Sequence, residues 1–306
     1  MATTMKVFMT GASGYIGSAV AGALMRAGHA VTGLSRSAER AAELERRGVH
    51  ALLGQLGEPA PWRDAAGTHE LIVHTAYEGG ANGPDVDRRA IEALLAAAAA
   101  GGRTRSLIFT SGIWVLGPCG QTPADEGSST AGAAPNVTWR PVHEQLVLAG
   151  ATERLATAVM RPGIVYGGGT GLISSFFETA VREGAAAFIG DGRNRMPPVH
   201  RDDLAALYVL VAERGARGIF HGTDEAAMRV ADIAGAASRA AGRDGATRSI
   251  PLVEARAQMG PVADALCMDQ VVLAPRARSL GWQPTHRSFA EAAPEAFAEW
   301  RAASRA

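Results

Sequence analysis

Three glycines at equal spacing follow a short apolar segment near the start of the chain. Gly11, Gly14 and Gly17 belong to the stretch TGASGYIG, with an apolar stretch before it and the helical pattern of residues 15–27 after it. The pattern predicts a strand, a glycine turn and a helix in that order. Such a turn presents backbone N–H groups at the positive end of the helix dipole, where phosphate groups bind. The alternative is a glycine turn that binds no ligand.

Each glycine in this stretch has its own physical task in a dinucleotide site. Gly11 permits the tight turn, Gly14 keeps a side chain away from the diphosphate, and Gly17 lets the helix pack close to the sheet. The segment therefore predicts that a dinucleotide is held by these loop residues: Gly11, Ser13, Gly14, Tyr15 and Ile16.

The end of the second predicted strand, residues 30–35, indicates which dinucleotide is bound. Sites for NAD carry an acidic residue about 20 residues after the glycines, where it binds the ribose hydroxyls. Here the strand ends in Ser35, Arg36 and Ser37, and the first acid is Glu39. A guanidinium pairs with a 2′-phosphate and the serines add hydrogen bonds, so we predict NADP(H). The alternative is that Arg36 is a solvated residue at a helix start.

The composition excludes several classes of protein. The chain has 306 residues, 20% of them charged and 47% apolar, with a formal net charge of zero. These values are typical of a globular protein and lack the basic surface of a nucleic-acid binder. Uninterrupted apolar stretches are shorter than a membrane span. Cys119 and Cys267 form no metal or CxxC pattern, so we expect no metal and a reduced, cytoplasmic protein.

Alternating strands and helices must position these residues. Their order predicts an α/β fold, a Rossmann-type doubly wound parallel sheet with a smaller C-terminal substrate lobe. The alternation loosens after residue 166, where the sequence GGGTG begins. The predicted domains are a dinucleotide-binding domain at 1–166 plus about 199–222, and a substrate-binding lobe at about 167–198 and 223–306.

Five further segments resemble one known family. They are IVHTA at 72–76, IFTSG at 108–112, RPGIVYG at 161–167, VHRDDLA at 199–205 and LGWQP at 280–284. With the glycine stretch, they make the chain similar to the extended short-chain dehydrogenase/reductase family, also called the NAD-dependent epimerase/dehydratase family, over about residues 5–290. The resemblance implies further cofactor-binding residues, namely Leu56, Ala76, Thr110, Arg140, Pro162, Gly163, Ile164 and Val165. It also implies a homodimer through helices 84–100 and 141–149.

The catalytic residues of that family are only partly present. The family uses a Ser or Thr, a Tyr that exchanges the proton, and a Lys four residues after the Tyr. Ser111 matches the first member. If Glu144 anchors the match, Asn136 stands in place of Tyr and Arg140 in place of Lys. No Tyr-x-x-x-Lys exists in the chain, whose sole lysine is Lys6.

Other side chains must therefore replace the missing pair, and we predict Ser111, Arg140 and His143. Arg140 holds its proton too tightly to be an acid, but it could bind ribose or polarise a carbonyl. His143 is a candidate because imidazole is the side chain that most often exchanges a proton in catalysis. The structural alternatives are a turn role for Ser111, a surface ion pair of Arg140 with Glu144, and a solvated His143. Two tyrosines are further candidates for the proton donor: Tyr77 and Tyr166.

The sequence thus predicts an NADPH-dependent reductase of a small organic carbonyl or imine, with a small molecule as its partner and neither nucleic acid nor membrane. One alternative is a non-catalytic NADP(H)-binding regulatory or sensor protein, since the usual catalytic pair is missing. A second is a sugar-nucleotide epimerase or dehydratase, which is less favoured because that chemistry depends on the missing Tyr and Lys.

Overall fold

The computed structural model describes residues 4–305, which form thirteen strands and twelve α-helices. The strands are β1 (Lys6–Thr10), β2 (Ala30–Ser35), β3 (His50–Leu53), β4 (Leu71–His74), β5 (Arg105–Thr110), β6 (Leu155–Pro162), β7 (Ile164–Tyr166), β8 (Ala186–Ile189), β9 (Arg195–Met196), β10 (Pro198–His200), β11 (Gly218–Gly222), β12 (Met228–Arg229) and β13 (Thr247–Ile250). The helices are α1 (Tyr15–Arg26), α2 (Ala38–Arg46), α3 (Ala60–Ala66), α4 (Gly83–Ala99), α5 (Arg140–Ala149), α6 (Ser174–Glu183), α7 (Arg201–Glu213), α8 (Val230–Ala240), α9 (Leu252–Met259), α10 (Val262–Leu266), α11 (Pro275–Ser279) and α12 (Phe289–Ala303).

Seven strands form the main sheet, in the order β3-β2-β1-β4-β5-β6-β11. In this order, every two adjacent strands from β3 to β6 run parallel to each other. The chain leaves β3 at one edge and returns to place β4 beside β1, so the strand order reverses at β1. Ligands of such sheets bind at the carboxyl ends of the strands at this reversal, which here is the end of β1. The predicted Rossmann-type α/β fold is confirmed.

Apolar helix faces hold this sheet in place. Helix α4 buries residues that recur every three or four positions, including Val86, Ala90 and Leu94, and this stripe packs with Phe8 and Trp62. The rings of Phe8 and Trp62 are stacked with centroids 5.9 Å apart. The sequence analysis missed α3, which contains Trp62, because seven residues are too few for a clear helical period.

The chain divides into two compact units, and the division differs from the predicted domains. The first unit runs through Ser111 and includes 139–160 and 205–220; the second comprises 112–138, 161–204 and 221 to the end. Of the predicted limits, residues 1–3 and 306 lie outside the described residues. Segment 112–138 belongs to the second unit because its backbone bonds to residues far along the chain. Cys119 N–H donates to the Asp269 carbonyl at 2.9 Å, and Ala124 N–H to the Val271 carbonyl at 2.8 Å.

The second unit has its own apolar core and small sheets. Its core includes Phe177, Ile233 and Phe289, contributed by α6, α8 and α12. Two-stranded sheets pair β10 with β7, β12 with β9 and β13 with β8. Among residues 4–305, no helix combines the length and the apolar character needed to span a membrane.

Candidate functional site

The first unit contains a cavity of about 460 Å³ at the end of β1. Its walls come from the glycine loop, from the ends of β2 and β3, and from the segment after β4. The lining residues are Thr10, Gly11, Ser13, Gly14, Tyr15, Ile16, Gly17, Leu34, Ser35, Arg36, Arg40, Gly54, Leu56, Thr75, Ala76, Tyr77 and Glu78. The structure thus brings together every cofactor-binding residue predicted in the glycine loop, and with them Ser35, Arg36, Leu56 and Ala76.

The glycine loop allows no side chain at two of its three glycines. Gly11 has φ +75°, and a Cβ there would lie 2.6 Å from the Ala76 nitrogen. A Cβ on Gly17 would lie 2.0 Å from the Gly11 carbonyl oxygen. At Gly14 the nearest atom to such a Cβ is that same oxygen, at 3.1 Å. Packing within the chain therefore explains Gly11 and Gly17, whereas Gly14 borders the cavity and its expected contact with a diphosphate stays a prediction.

Helix α1 presents an end suited to an anion. Its N-cap is Gly14, which has no side chain to accept a bond from the first turn, and that turn contains no acidic residue. Partial positive charge at the helix start is therefore neither capped by a side chain nor offset by a carboxylate. A dinucleotide diphosphate fits these residues.

The end of β2 contributes two arginines to the same cavity. The Ser35 hydroxyl donates to the Ser37 carbonyl at 3.0 Å, and the Ser37 hydroxyl accepts from Arg40 N–H at 3.3 Å, which caps α2. Arg36 and Arg40 are both exposed and both line the cavity. Ser37 is absent from the lining, so its contact with a cofactor stays a prediction. Arg40 was missed by the sequence analysis, although its position four residues after Arg36 was the available signal.

A chain of buried polar side chains starts at the end of β1. The Thr10 hydroxyl lies 2.6 Å from His74 Nδ1, and His74 Nε2 lies 3.2 Å from Asp87 Oδ1. Asp87 Oδ2 lies 2.7 Å from His143 Nδ1. We call these four residues the Asp87 cluster. Thr10 Oγ1 also accepts from Ala76 N–H at 3.4 Å, so the cluster supports the cavity wall after β4.

Asp87 is held as a carboxylate by its two histidines. Burial opposes its ionisation, but the hydrogen bond from His143 and the nearby His74 ring outweigh that effect and lower its pKa to about 2. The side chain is 1% exposed. A buried carboxylate needs polar partners, and here both are imidazole rings.

Arg140 reaches the end of β5 from the first turn of α5. Its Nη1 donates to the Thr110 carbonyl at 3.1 Å, and the guanidinium lies 4.5 Å from the Trp139 ring centroid and 5.2 Å from that of Tyr77. The two rings are stacked 5.4 Å apart. Burial lowers the pKa of Arg140 while Asp87 raises it. Cation–π contacts and one hydrogen bond fix this cation in position.

Ser111 follows Thr110 directly, so it is the residue next to the carbonyl that Arg140 contacts at the end of β5. The Ser111 N–H donates to the Met160 carbonyl at 2.7 Å, which extends the sheet by one residue. Its hydroxyl is buried and lacks a hydrogen-bond partner among residues 4–305. The neighbouring Thr110 hydroxyl is 2.7 Å from the buried Tyr208 hydroxyl. The catalytic roles of Ser111, Arg140 and His143 stay predictions.

Two of the structural alternatives are wrong. Glu144 is 1% exposed, so it makes no surface ion pair with Arg140. His143 is 5% exposed and bonded to Asp87, so it is not a solvated helix residue. His143 contacts α4 through Asp87, a neighbour that the local sequence could not identify.

Other predicted residues belong to the second unit. Tyr166 is 1% exposed, packs edge-on against the rings of His200 and Phe289, and its hydroxyl lacks a partner within the described chain. Burial strongly raises the pKa of Tyr166, which makes it a poor proton donor. A group of predicted cofactor residues is buried here, and their role stays a prediction: Pro162, Gly163, Ile164 and Val165. Thr110, in the first unit, likewise stays a prediction.

The fold and this cavity define a Rossmann-type protein with a dinucleotide-like site. The family model described as "NAD dependent epimerase/dehydratase family" matches residues 7–221. An uncharacterized protein of Schizosaccharomyces pombe is 30% identical over 93% of this chain and 97% of its own length. A Streptomyces protein named 3-diazoavenalumate denitrifying reductase is 30% identical over 93% of this chain and 98% of its own. The chain belongs to the NAD-dependent epimerase/dehydratase family, the extended short-chain dehydrogenases/reductases.

Solved structures agree on the fold. The human epimerase family protein SDR39U1, crystallised with NADPH, has a TM-score of 0.79 at 22% identity and covers 96% of this chain and 99% of its own. The dTDP-glucose 4,6-dehydratase of Bacillus anthracis, in complex with NAD, has a TM-score of 0.83 at 16% identity, with 99% and 98% covered.

Proposed function

We propose that this protein is an NADPH-dependent reductase that delivers hydride to a small organic carbonyl or imine. The observation that carries the proposal is the cavity of the first unit. There the glycine loop and the start of α1 face two arginines, Arg36 and Arg40, and no acidic residue stands at the end of β2.

Different residues of the cavity would bind different parts of the cofactor. The start of α1 would hold the diphosphate, while Arg36 and Arg40 would pair with the 2′-phosphate that distinguishes NADP(H) from NAD(H). Leu56 would pack on the adenine side, and Ala76 would lie beside the cofactor. NADPH, when bound, supplies the hydride.

Arg140 and Ser111 would act on the oxygen or nitrogen of the substrate. The Arg140 cation is fixed by Thr110 and by two aromatic rings, so it costs little reorganisation when negative charge develops on that atom. The buried Ser111 hydroxyl, which lacks a partner among the described residues, would donate a hydrogen bond to the same atom.

His143 would supply the proton in place of the missing tyrosine. Its Nδ1 is bonded to the Asp87 carboxylate, which fixes the ring and leaves Nε2 for proton exchange. A carboxylate in that position also stabilises the protonated imidazole, as in other Asp–His pairs. Tyr77 is the competing donor, since it is 46% exposed, lines the cavity and lies beside Arg140.

The names of relatives support reductase chemistry over epimerase chemistry. A Stenotrophomonas maltophilia protein named 2-alkyl-3-oxoalkanoate reductase is 30% identical over 70% of this chain and 67% of its own length. The Streptomyces relative is likewise named a reductase. The absence of Tyr-x-x-x-Lys from the sequence is the observation that favours the second candidate, a non-catalytic NADP(H)-binding protein.

Calorimetric titration with NADPH, NADP⁺, NADH and NAD⁺ tests the cofactor. We expect NADPH to bind most tightly, and Arg36→Ala to weaken NADPH by about 10- to 100-fold while NADH changes little, because a charge-assisted hydrogen bond is lost. Arg46→Ala, in the last turn of α2 and outside the cavity lining, is the matched control. Equal loss in both variants, or binding of none of the four nucleotides, would contradict the proposal.

A panel of ketones, aldehydes, enones and imines then tests the reaction. Oxidation of NADPH, followed at 340 nm with a defined product, is the expected result for a reductase. Tight NADPH binding without turnover of any member of the panel would instead select the non-catalytic candidate.

A further inference from the structure

One acidic side chain lines the cofactor cavity of the first unit. Among the residues of this lining, Arg36 and Arg40 are the basic ones and Glu78 is the acidic one. A carboxylate weakens the binding of a nearby phosphate, because like charges repel each other. If Glu78 assists the cofactor, it must therefore act on a part other than the phosphates.

The Glu78 carboxylate is unpaired. The residue is half-buried, and within residues 4–305 its side chain makes neither a hydrogen bond nor an ion pair. Arg36 and Arg40 line the same cavity and leave its charge unneutralised. The carboxylate is therefore available to a bound molecule.

The backbone that carries Glu78 is held by the start of α4. A Cβ on Gly83, the first residue of that helix, would collide with the Glu78 carbonyl oxygen and lie 3.0 Å from the Tyr77 hydroxyl. The Gly83 N–H donates to the Gly80 carbonyl at 3.1 Å, which closes the turn between β4 and α4. Tyr77 stacks on Trp139, with ring centroids 5.4 Å apart. These contacts fix the backbone at Glu78 before any ligand binds.

The strand that precedes Glu78 determines which part of the cofactor it would meet. A Rossmann sheet binds one nucleotide on each of its two halves, which adjoin where the strand order reverses. Arg36 and Arg40 follow β2, in the half that would bind adenosine with its 2′-phosphate. Glu78 follows β4, the first strand of the other half. The nucleotide on that side is the one that contains nicotinamide.

The two redox states of the cofactor differ in charge at the nicotinamide ring. The oxidised ring is a cation and the reduced ring is neutral, whereas the riboses and phosphates are the same in both forms. A carboxylate near the ring attracts the oxidised form and leaves the neutral form almost unaffected. An unpaired acid at this end of the cavity therefore favours the loss of hydride from the bound cofactor.

We propose that Glu78 stabilises the oxidised nicotinamide ring and so makes bound NADPH a stronger hydride donor. Glu78 keeps its charge throughout: the hydrogen and its electron pair pass together to the substrate, which is reduced while the nicotinamide is oxidised. The role rests on the proposed function, because it takes NADP(H) as the occupant of the cavity.

The ratio of two dissociation constants measures this role without turnover. Titration calorimetry of the whole chain with NADP⁺ and with NADPH gives the Kd of each, and Glu78→Gln removes the charge while keeping the side-chain shape. We expect this variant to weaken NADP⁺ relative to NADPH by about three- to tenfold, because the ring cation loses its counter-charge. That change corresponds to about 14–30 mV in the two-electron potential of the bound cofactor. Glu78→Asp keeps the charge and should keep most of the wild-type ratio.

Glu58→Gln is the matched control. Glu58 is exposed, lies two residues after the lining residue Leu56, and is absent from the lining. This variant removes the same unit of charge from the protein, so it reports the effect of net charge alone, and the ratio should not change. Arg36→Ala should weaken both nucleotides and also leave the ratio unchanged, since both forms contain the 2′-phosphate. Far-ultraviolet circular dichroism checks the folding of every variant.

Two results would overturn the proposal: an unchanged ratio in Glu78→Gln, even if both forms bind more weakly, or an equal shift in Glu58→Gln. Failure of the proposed function would look different. If neither nucleotide binds to the wild type, the assignment of the cofactor itself fails. If the ratio shifts in Glu78→Gln alone while no ketone or imine is reduced, the role of Glu78 stands and the reductase fails.

Discussion

An aspartate contacts histidine in each of the two units, but the groups that bond the two carboxylates differ in kind. In the first unit, Asp87 is held by the side chains of His74 and His143. In the second, Asp203 accepts from the backbone N–H groups of Thr285 and His286 at 2.9 Å each, from the Thr285 hydroxyl at 2.8 Å, and contacts His286 Nδ1 at 2.8 Å.

This difference leads us to expect a chemical role for the first cluster and a structural role for the second. Three of the four donors to Asp203 are two backbone amides and a hydroxyl, so this carboxylate fixes the turn before α12. The Trp282 indole donates to the Asp203 carbonyl at 2.9 Å and anchors the same turn. Both side-chain partners of the Asp87 carboxylate are instead imidazole rings. The donor atoms of His200, Asp203 and His286 lie within 4.8 Å of one another, but both Asp203 oxygens are already bonded twice, and we propose no metal there.

The largest expected effect is on turnover. His143→Gln should lower kcat about 10²- to 10⁴-fold because it removes the proposed general acid, with little change in the Kd of NADPH. His286→Gln, the corresponding change in the second unit, should leave kcat within about twofold. Steady-state kinetics across pH 5–9 measure both. A variant that loses activity only through instability would keep the wild-type pH profile, and His143→Gln should lose its acid-dependent limb. An unchanged profile would point to Tyr77 as the donor.

The next effect is on stability. Asp87→Asn removes the charge that balances two buried histidines, and we expect it to lower the free energy of unfolding by about 3–5 kcal/mol. Urea unfolding followed by circular dichroism measures the change. A loss near 1 kcal/mol would mean that the histidines are satisfied without the carboxylate, and the contrast between the two clusters would disappear.

Acid should weaken the first cluster within a defined range of pH. The pKa of Asp87 is lowered from 3.8 to about 2, so its contribution is fully present above about pH 4 and is lost as pH falls towards 2. The shift corresponds to about 2 kcal/mol. Unfolding free energy measured at pH 5, 4, 3 and 2 should therefore fall more steeply for the wild type than for Asp87→Asn. Parallel curves would show that Asp87 is not the group that titrates.

The smallest effect concerns the second cluster. Asp203→Asn keeps one acceptor oxygen for the backbone donors, so we expect a loss of about 1 kcal/mol. The pKa of Asp203 is also lowered, because burial is outweighed by the bonds from Thr285 and His286. Thermal unfolding and NADPH oxidation should show a modestly less stable protein with unchanged kcat. A large loss of activity would give this cluster a chemical role.

The cofactor loop was predictable in detail because all its determinants are local. Gly11, Gly14 and Gly17 lie within one strand–turn–helix unit, and Arg36 follows the adjacent strand directly. Strand β2 was predicted at its exact bounds, since a short apolar segment between glycine turns has few other interpretations. The later helix α12 was missed, because its alanine-rich sequence contains Pro294 and lacks a clear apolar stripe.

By itself, the sequence determined the Rossmann-type fold and the family. It also determined the glycine loop, through the steric needs of a tight turn and a helix start. Only the tertiary structure decided which side chains meet at distance. Asp87 joins His74 and His143 because α4 places one buried residue between the end of β4 and the inner face of α5. Such a meeting depends on helix packing, and the spacing of residues along the chain does not encode it.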